Sequence, residues 1–154
     1  MSIPRVSSIL DDDYQFDKSN LIDGKLETCW NSDEGEAQFI YCKFSQPVNI
    51  SHFELTYQGG FGAKHLSVAV GVPIPADIAQ NADDDDSDEE EATKTNKIGL
   101  KTVAEFASQD ASSTQSFAFS AGNVHAIKIT MTDMADMFGR VIIYNLNIFG
   151  PSSQ

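Results

Sequence analysis

Basic residues are scarce: ten Lys and Arg stand against 23 Asp and Glu in a chain of 154 residues, a formal net charge of −13. So acidic a surface repels nucleic acid phosphates and anionic lipid headgroups, and neither direct nucleic acid contact nor membrane binding is expected. Cysteine is nearly absent. Cys29 and Cys42 form no CxxC pair and stand beside no histidine cluster at zinc spacing, so buried free thiols are expected in place of a disulfide framework. No run approaches the roughly 18 consecutive apolar residues of a membrane span. The opening MSIPRVSSIL has no cationic lead into an apolar stretch, and a soluble intracellular protein is expected.

Enzyme signatures are missing as well. His52, His65 and His125 are scattered without HxxxH or HExxH spacing, no serine sits in GxSxG, and Gly59 to Lys64 (GGFGAK) lacks the spacing of a phosphate loop or a dinucleotide fingerprint. No nucleophile–base pair can be named, and the expectation is a protein that is not an enzyme. Long amphipathic helical segments are also lacking. The nearest helical stretches are Pro75 to Asn81 and Thr132 to Phe138, and Met131, Met134 and Met137 read as a short turn packing its methionines under a sheet edge.

What is present is strand periodicity. Gln38 to Phe44 is rich in aromatic and β-branched residues and ends at Gln46-Pro47, and Ile50 to Tyr57 puts Phe53, Leu55 and Tyr57 on one face. Leu66, Val68 and Val70 repeat the period of two, as do Phe117 and Phe119, then Ile127 and Ile129. From Arg140 to Phe149 the even positions Ile142, Tyr144, Leu146 and Ile148 are all apolar, which reads as one long strand. Such short strands with turn signals between them predict an all-β antiparallel sandwich or barrel. The length suits a single domain, 1–150, with a tail at 151–154. Asp83 to Glu91 holds eight acids and leaves 15 acids against ten bases elsewhere. This run marks an exposed insertion, expected to be disordered at about 81–95, where like charges repel and no apolar area can be buried.

The densest polar constellation runs from Asn20 to Ser32. Asp23, Thr28 and several turn carbonyls converge around Gly24 and precede Trp30, the single tryptophan. Oxygen-rich turns suit calcium. The alternative is a turn that bonds its own backbone while Trp30 plugs the end of the core.

The same stretch, L-I-D-G followed by Thr28 and W-N-S, resembles the signature of the discoidin, or coagulation-factor type C, domains of the galactose-binding-like superfamily. That resemblance implies an antiparallel jelly-roll β-sandwich. With the blocks E-T-C-W-N-S-D, Q-G-G-F and F-G-R-V-x-I-Y, the chain from Val6 to Gly150 resembles more narrowly the small intracellular proteins associated with an orphan nuclear receptor. Their likeness implies a non-enzymatic protein-interaction module that binds and represses a nuclear receptor or another transcriptional regulator, in the nucleus or cytoplasm. A carbohydrate- or small-ligand-binding module with a calcium-supported loop, or an adaptor subunit of a larger complex, are the alternatives.

The superfamily also suggests site residues. Its calcium-binding members complete the metal site with a glutamate five residues before the terminal glycine, where this chain has Asn145. Asp23, Thr28 and Asn145 are thus the metal candidates; a neutral carbonyl in place of a carboxylate lowers affinity for a hard cation, and no cofactor is expected to be required. Sugar-binding members use aromatic and basic residues on the loops at one end of the sandwich, which points to Phe61, Phe138 and Arg140 as ligand- or partner-binding residues.

Overall fold

The structure, a computed structural model, describes residues 4–23, 25, 27–74 and 97–151; the helical candidate at 75–81 and the expected acidic insertion lie outside the described residues. Among the described residues seven strands carry the fold: β1 (Arg5–Val6), β2 (Trp30–Asn31), β3 (Ala37–Tyr57), β4 (Ala63–Ile74), β5 (Lys97–Ala107), β6 (Thr114–Met134) and β7 (Ile142–Phe149). All their pairings are antiparallel, in the order β2-β7-β3-β6-β4-β5 with β1 against β3. The expected all-β antiparallel jelly-roll sandwich is therefore the fold observed.

Two long strands join the layers. The stretches 38–44 and 50–57 are the halves of one strand, β3, whose register against β6 shifts between Lys43 and His52. Pro47 falls inside this interval, where a residue without an amide hydrogen interrupts no ladder bond. On one side of the bend β3 lies between β1 and β6, which continues to β4 and β5. On the other side it lies between β6 and β7. Buried positions accordingly switch parity, from Ile40 and Cys42 to Phe53, Leu55 and Tyr57.

Aromatic contacts show that the bent sheet closes on itself. Phe106 of β5 meets Phe53 of β3 edge-on at 6.1 Å between ring centroids, although β4 and β6 separate the two strands along the ladder. Phe117 stands 5.2 Å from Phe53 and 5.3 Å from Phe106. The two inner faces thus share one core, which also takes in Leu21, Trp30, Leu66, Val68, Ile127, Ile129, Met131 and Leu146. Each such side chain contributes about 1.5–3 kcal/mol by leaving water.

Four expectations need correction. Thr132 to Phe138 is no helix: Thr132–Met134 end β6, and a bend and turn follow. Of its methionines only Met131 is fully buried and Met134 packs at the core margin, whereas Met137 is 83% exposed. In β7 the apolar alternation breaks, because Thr56 pairs with Asn145 but Tyr57 with Ile143. The extra residue, Tyr144, turns Ile143 inward beside Leu146. Cys42 is buried, its thiol pushed up to about 12 by loss of water, but Cys29 is only half-buried. Strand β5 had no clear signature, since Leu100 and Val103 on this edge strand are exposed. Three 3-10 turns, Leu10–Asp12, Tyr14–Phe16 and Lys18–Ile22, were likewise too short to leave a helical period.

Candidate functional site

At one end of the sandwich, separate connections are laced together by backbone and side-chain hydrogen bonds. In the β3–β4 turn the Phe61 amide donates to the Gln58 carbonyl at 2.9 Å, and Gly60 adopts φ +93°. Asp110 receives the amides of Gly60 and Gly62 at 2.8 and 3.0 Å, fixing this turn to the β5–β6 loop. The β6–β7 connection is fixed in its turn by three bonds: Ala135 amide to Gly62 carbonyl at 2.9 Å, Ile142 amide to Phe61 carbonyl at 3.1 Å, and Gly35 amide to Phe138 carbonyl at 3.1 Å. Buried Gln38 spans the remaining gap, donating to the carbonyls of Asp33 at 2.8 Å and Gly139 at 3.2 Å.

This lacing brings together the three residues nominated as ligand- or partner-binding. The Arg140 guanidinium lies 5.7 Å from the Phe61 ring centroid and 5.6 Å from that of Phe138. Its Nε donates to Asp136 at 3.2 Å. The same carboxylate oxygen accepts the amides of Phe138 and Arg140, both at 3.1 Å, so one aspartate shapes the turn and orients the cation. The resulting arrangement is a half-buried cation between two rings, with Phe138 53% exposed. Cation–ring contacts of this kind are attractive because the face of the ring carries the negative end of its quadrupole. Asp136, Asp110 and Gln38 were not foreseen; Asp136 alone left a local signal, the D-x-F-G-R spacing of an Asx-type turn.

Partial burial works to raise the Asp136 pKa, but the Arg140 side chain and amide, the Arg140 charge and the Phe138 amide outweigh it and hold the carboxyl below 3.8. A carboxyl whose folded value is depressed contributes stability that is fully present above its unfolded value and is lost as pH falls through the folded one. Asp136→Asn is therefore expected to lower the melting temperature at pH 7 and to flatten its decline as the pH falls below about 4. Thermal melts across that range check this; identical acid slopes for the two proteins would refute it.

The metal candidates are arranged otherwise. Thr28 donates its hydroxyl to Asp23 Oδ2 at 2.6 Å, and the Lys25 amide donates to Oδ1 at 2.9 Å. Partial desolvation again raises the Asp23 pKa most, but these donors and the Lys25 charge prevail and lower it. Both carboxylate oxygens thus serve their own turn, and Asn145 stands in β7 opposite Thr56. Among the described side chains, one carboxylate, a hydroxyl and a neutral amide supply fewer oxygens than the six to eight a hard cation takes, and both carboxylate oxygens already accept hydrogen bonds from the turn. Trp30 beside this turn is fully buried, its Nε1 donating to the Ser8 carbonyl at 2.8 Å.

The remaining chemistry is dispersed. His52 stacks on Phe149 at 4.5 Å, His65 faces Glu105 at 3.4 Å, and His125 lies in β6. Among the described residues no three His, Cys, Asp or Glu converge as metal ligands, and no helix is long and apolar enough to cross a membrane.

No family model matches the chain. Among curated proteins, the nuclear receptor 2C2-associated protein of Xenopus laevis is 33% identical over 150 residues, covering 97% of this chain and 93% of that protein. Its Homo sapiens counterpart is 31% identical over 150 residues, covering 97% and 91%. Among solved structures, chitosan-binding module 1 of a Paenibacillus sp. IK-5 chitosanase/glucanase superposes with a TM-score of 0.69 at 19% identity, covering 96% of this chain and 93% of that one. An F5/8 type C domain from Bacteroides fragilis gives 0.62 at 16% identity, covering 97% and 93%. These two structural likenesses are likenesses of fold, that of the discoidin-like, galactose-binding-like domains.

Proposed function

The chain belongs to the family of the nuclear receptor 2C2-associated proteins, and from that premise we propose that it is a non-enzymatic binding protein whose partner is a nuclear receptor or another transcriptional regulator. Repression of that partner, in the nucleus or cytoplasm, is the activity this reading assigns. The observation that carries it is the Arg140 guanidinium held between Phe61 and half-exposed Phe138, on a family whose names state receptor association. Arginine and aromatic side chains dominate the energetics of protein interfaces, and here Asp136 orients the arginine before any partner arrives.

The test is titration calorimetry of the intact chain with the ligand-binding and DNA-binding portions of the receptor from the same organism, followed by a reporter assay. Phe138→Ala and Arg140→Ala are each expected to weaken binding about tenfold or more and to relieve repression in parallel. Failure of the intact chain to bind the receptor, or wild-type affinity in both variants, would overturn the reading. A carbohydrate is the second reading, supported by the same cation and rings together with neighbours of like fold that are named for binding chitosan and galactose. A sugar affinity in the micromolar range that vanishes in Arg140→Ala would favour it over the protein partner. We further propose that no metal is required: the Asp23 turn closes on its own donors, so adding calcium or chelator should leave the melting temperature unchanged, and a calcium-dependent rise would restore the metal.

A further inference from the structure

Beside the Arg140 stack lies an open groove of about 570 Å³ between the turn at 34–36 and the turn at 133–139. Four carboxylates line it, those of Glu34, Glu36, Asp133 and Asp136, and none of its lining residues is basic. Asp136 is committed to Arg140 and exposed Glu34 also acts on that cation, whereas Glu36 and Asp133 are exposed and, among the described residues, have no ion-pair partner. The same groove holds Met137 and Phe138, 83% and 53% exposed, with Met134 half-buried beside them. An exposed thioether and a ring beside exposed carboxylates form a surface with two distinct demands, apolar contact and positive charge.

We infer that this groove docks a Lys- or Arg-rich protein segment that carries one or two large aliphatic side chains among its cations. The aliphatic groups cover Met137 and Phe138, recovering the free energy that their exposure costs, and the cations face Glu34, Glu36 and Asp133. Methionine suits such a task because its unbranched, polarizable chain adapts to side chains of different shape. A second copy of this chain is a poor occupant, since two molecules of net charge −13 repel. The inference deepens the protein-binding reading, on which it rests for the occupant being a protein segment; it names the chemistry of that segment and a surface beyond Phe61 and Arg140.

The experiment uses the 15N-labelled full chain and three fluorescent twelve-residue peptides: one of alternating Lys and Leu, one of alternating Lys and Ser, and one of alternating Glu and Leu. Because Asp83 to Glu91 attracts any cation, a form with those eight acids replaced by Ser is titrated in parallel, its melting curve confirming that it folds. The Lys/Leu peptide is expected to shift amides at 34–36 and 133–139 in both forms and to bind about tenfold more tightly than the Lys/Ser peptide. Met137→Ser combined with Glu34→Gln and Glu36→Gln should remove that advantage, and the Glu/Leu peptide should not bind. Equal binding of the two cationic peptides, shifts confined to 83–91, no binding by any peptide, or tighter occupation of the groove by a glucosamine hexamer would each overturn the inference. Receptor binding that survives the triple substitution would overturn it too while leaving the protein-binding reading intact; loss of receptor binding by the unaltered chain would instead strike that reading.

Discussion

Replacing Trp30 with alanine is expected to lower folding stability by about 3–5 kcal/mol, the cost of deleting a large aromatic from a packed core. The indole is fully buried, and β2, which carries it, is held by a two-residue pairing with Ile142 and Ile143 of β7. Its removal leaves a cavity under the Asp23 turn and strips the Ser8 carbonyl of its donor, which is 2.8 Å away in the intact protein. Against a total of about 5–15 kcal/mol, that loss lowers the melting temperature by roughly 6–20 °C. Trp30→Phe keeps most of the apolar volume but not the Nε1 donor, so it should fall well short of the alanine effect. Urea denaturation of the three proteins decides the matter: a cost below about 1 kcal/mol for the alanine variant would mean that the chain end at Ser8 and β2 rearrange to fill the space.

Gly139→Ala is expected to cost about 2–5 kcal/mol and to abolish partner binding as well, because it combines a strained backbone with a direct collision. Gly139 adopts φ +83°, and a Cβ there would collide with the Gly35 carbonyl oxygen. The 35 and 139 backbones must then separate, breaking the hydrogen bond from the Gly35 amide to the Phe138 carbonyl and that from Gln38 to the Gly139 carbonyl, which displaces both Phe138 and Arg140. Gly60 supplies the control. Its φ is +93° but a Cβ there meets nothing within 4 Å, so Gly60→Ala should cost only the conformational penalty, about 1 kcal/mol. Equal effects in the two variants, measured by melting and by receptor titration, would show that the Gly35 contact relaxes freely and that the loop end is not held as described.

Part of the site was legible in the sequence and part was not. Phe61, Phe138 and Arg140 could be named through their place in recognisable blocks, yet nothing local said that one guanidinium would lie between both rings. Asp136 sits four residues before Arg140 and could be read as a turn former, but its ion pair is a consequence of that turn's geometry. The acidic groove left no trace at all. Glu34 and Glu36 are about a hundred residues from Asp133, and the two turns meet because the Gly35 amide reaches the Phe138 carbonyl. The Asp23 turn was the reverse case: its alternatives, a calcium cradle or a self-bonded turn, were both written in the same residues, and the hydrogen bonds on both Asp23 oxygens are what the self-bonded proposal rests on.

By itself the sequence determined most of the strand content, the antiparallel class and most inward-facing residues, because a half-buried strand must alternate apolar and polar side chains every second position, whatever its neighbours. It also determined the net charge of −13. Tertiary structure alone decided that two strand signals would fuse into β3, that β7 would carry an extra residue at Tyr144, and that β5 would take an edge with little apolar patterning. Register shifts and edges depend on which strand lies alongside, and side chains far apart in the chain become a site only when backbone hydrogen bonds bring their loops to the same end. The local pattern records which face of a strand is dry; it holds no record of what will be found across the gap.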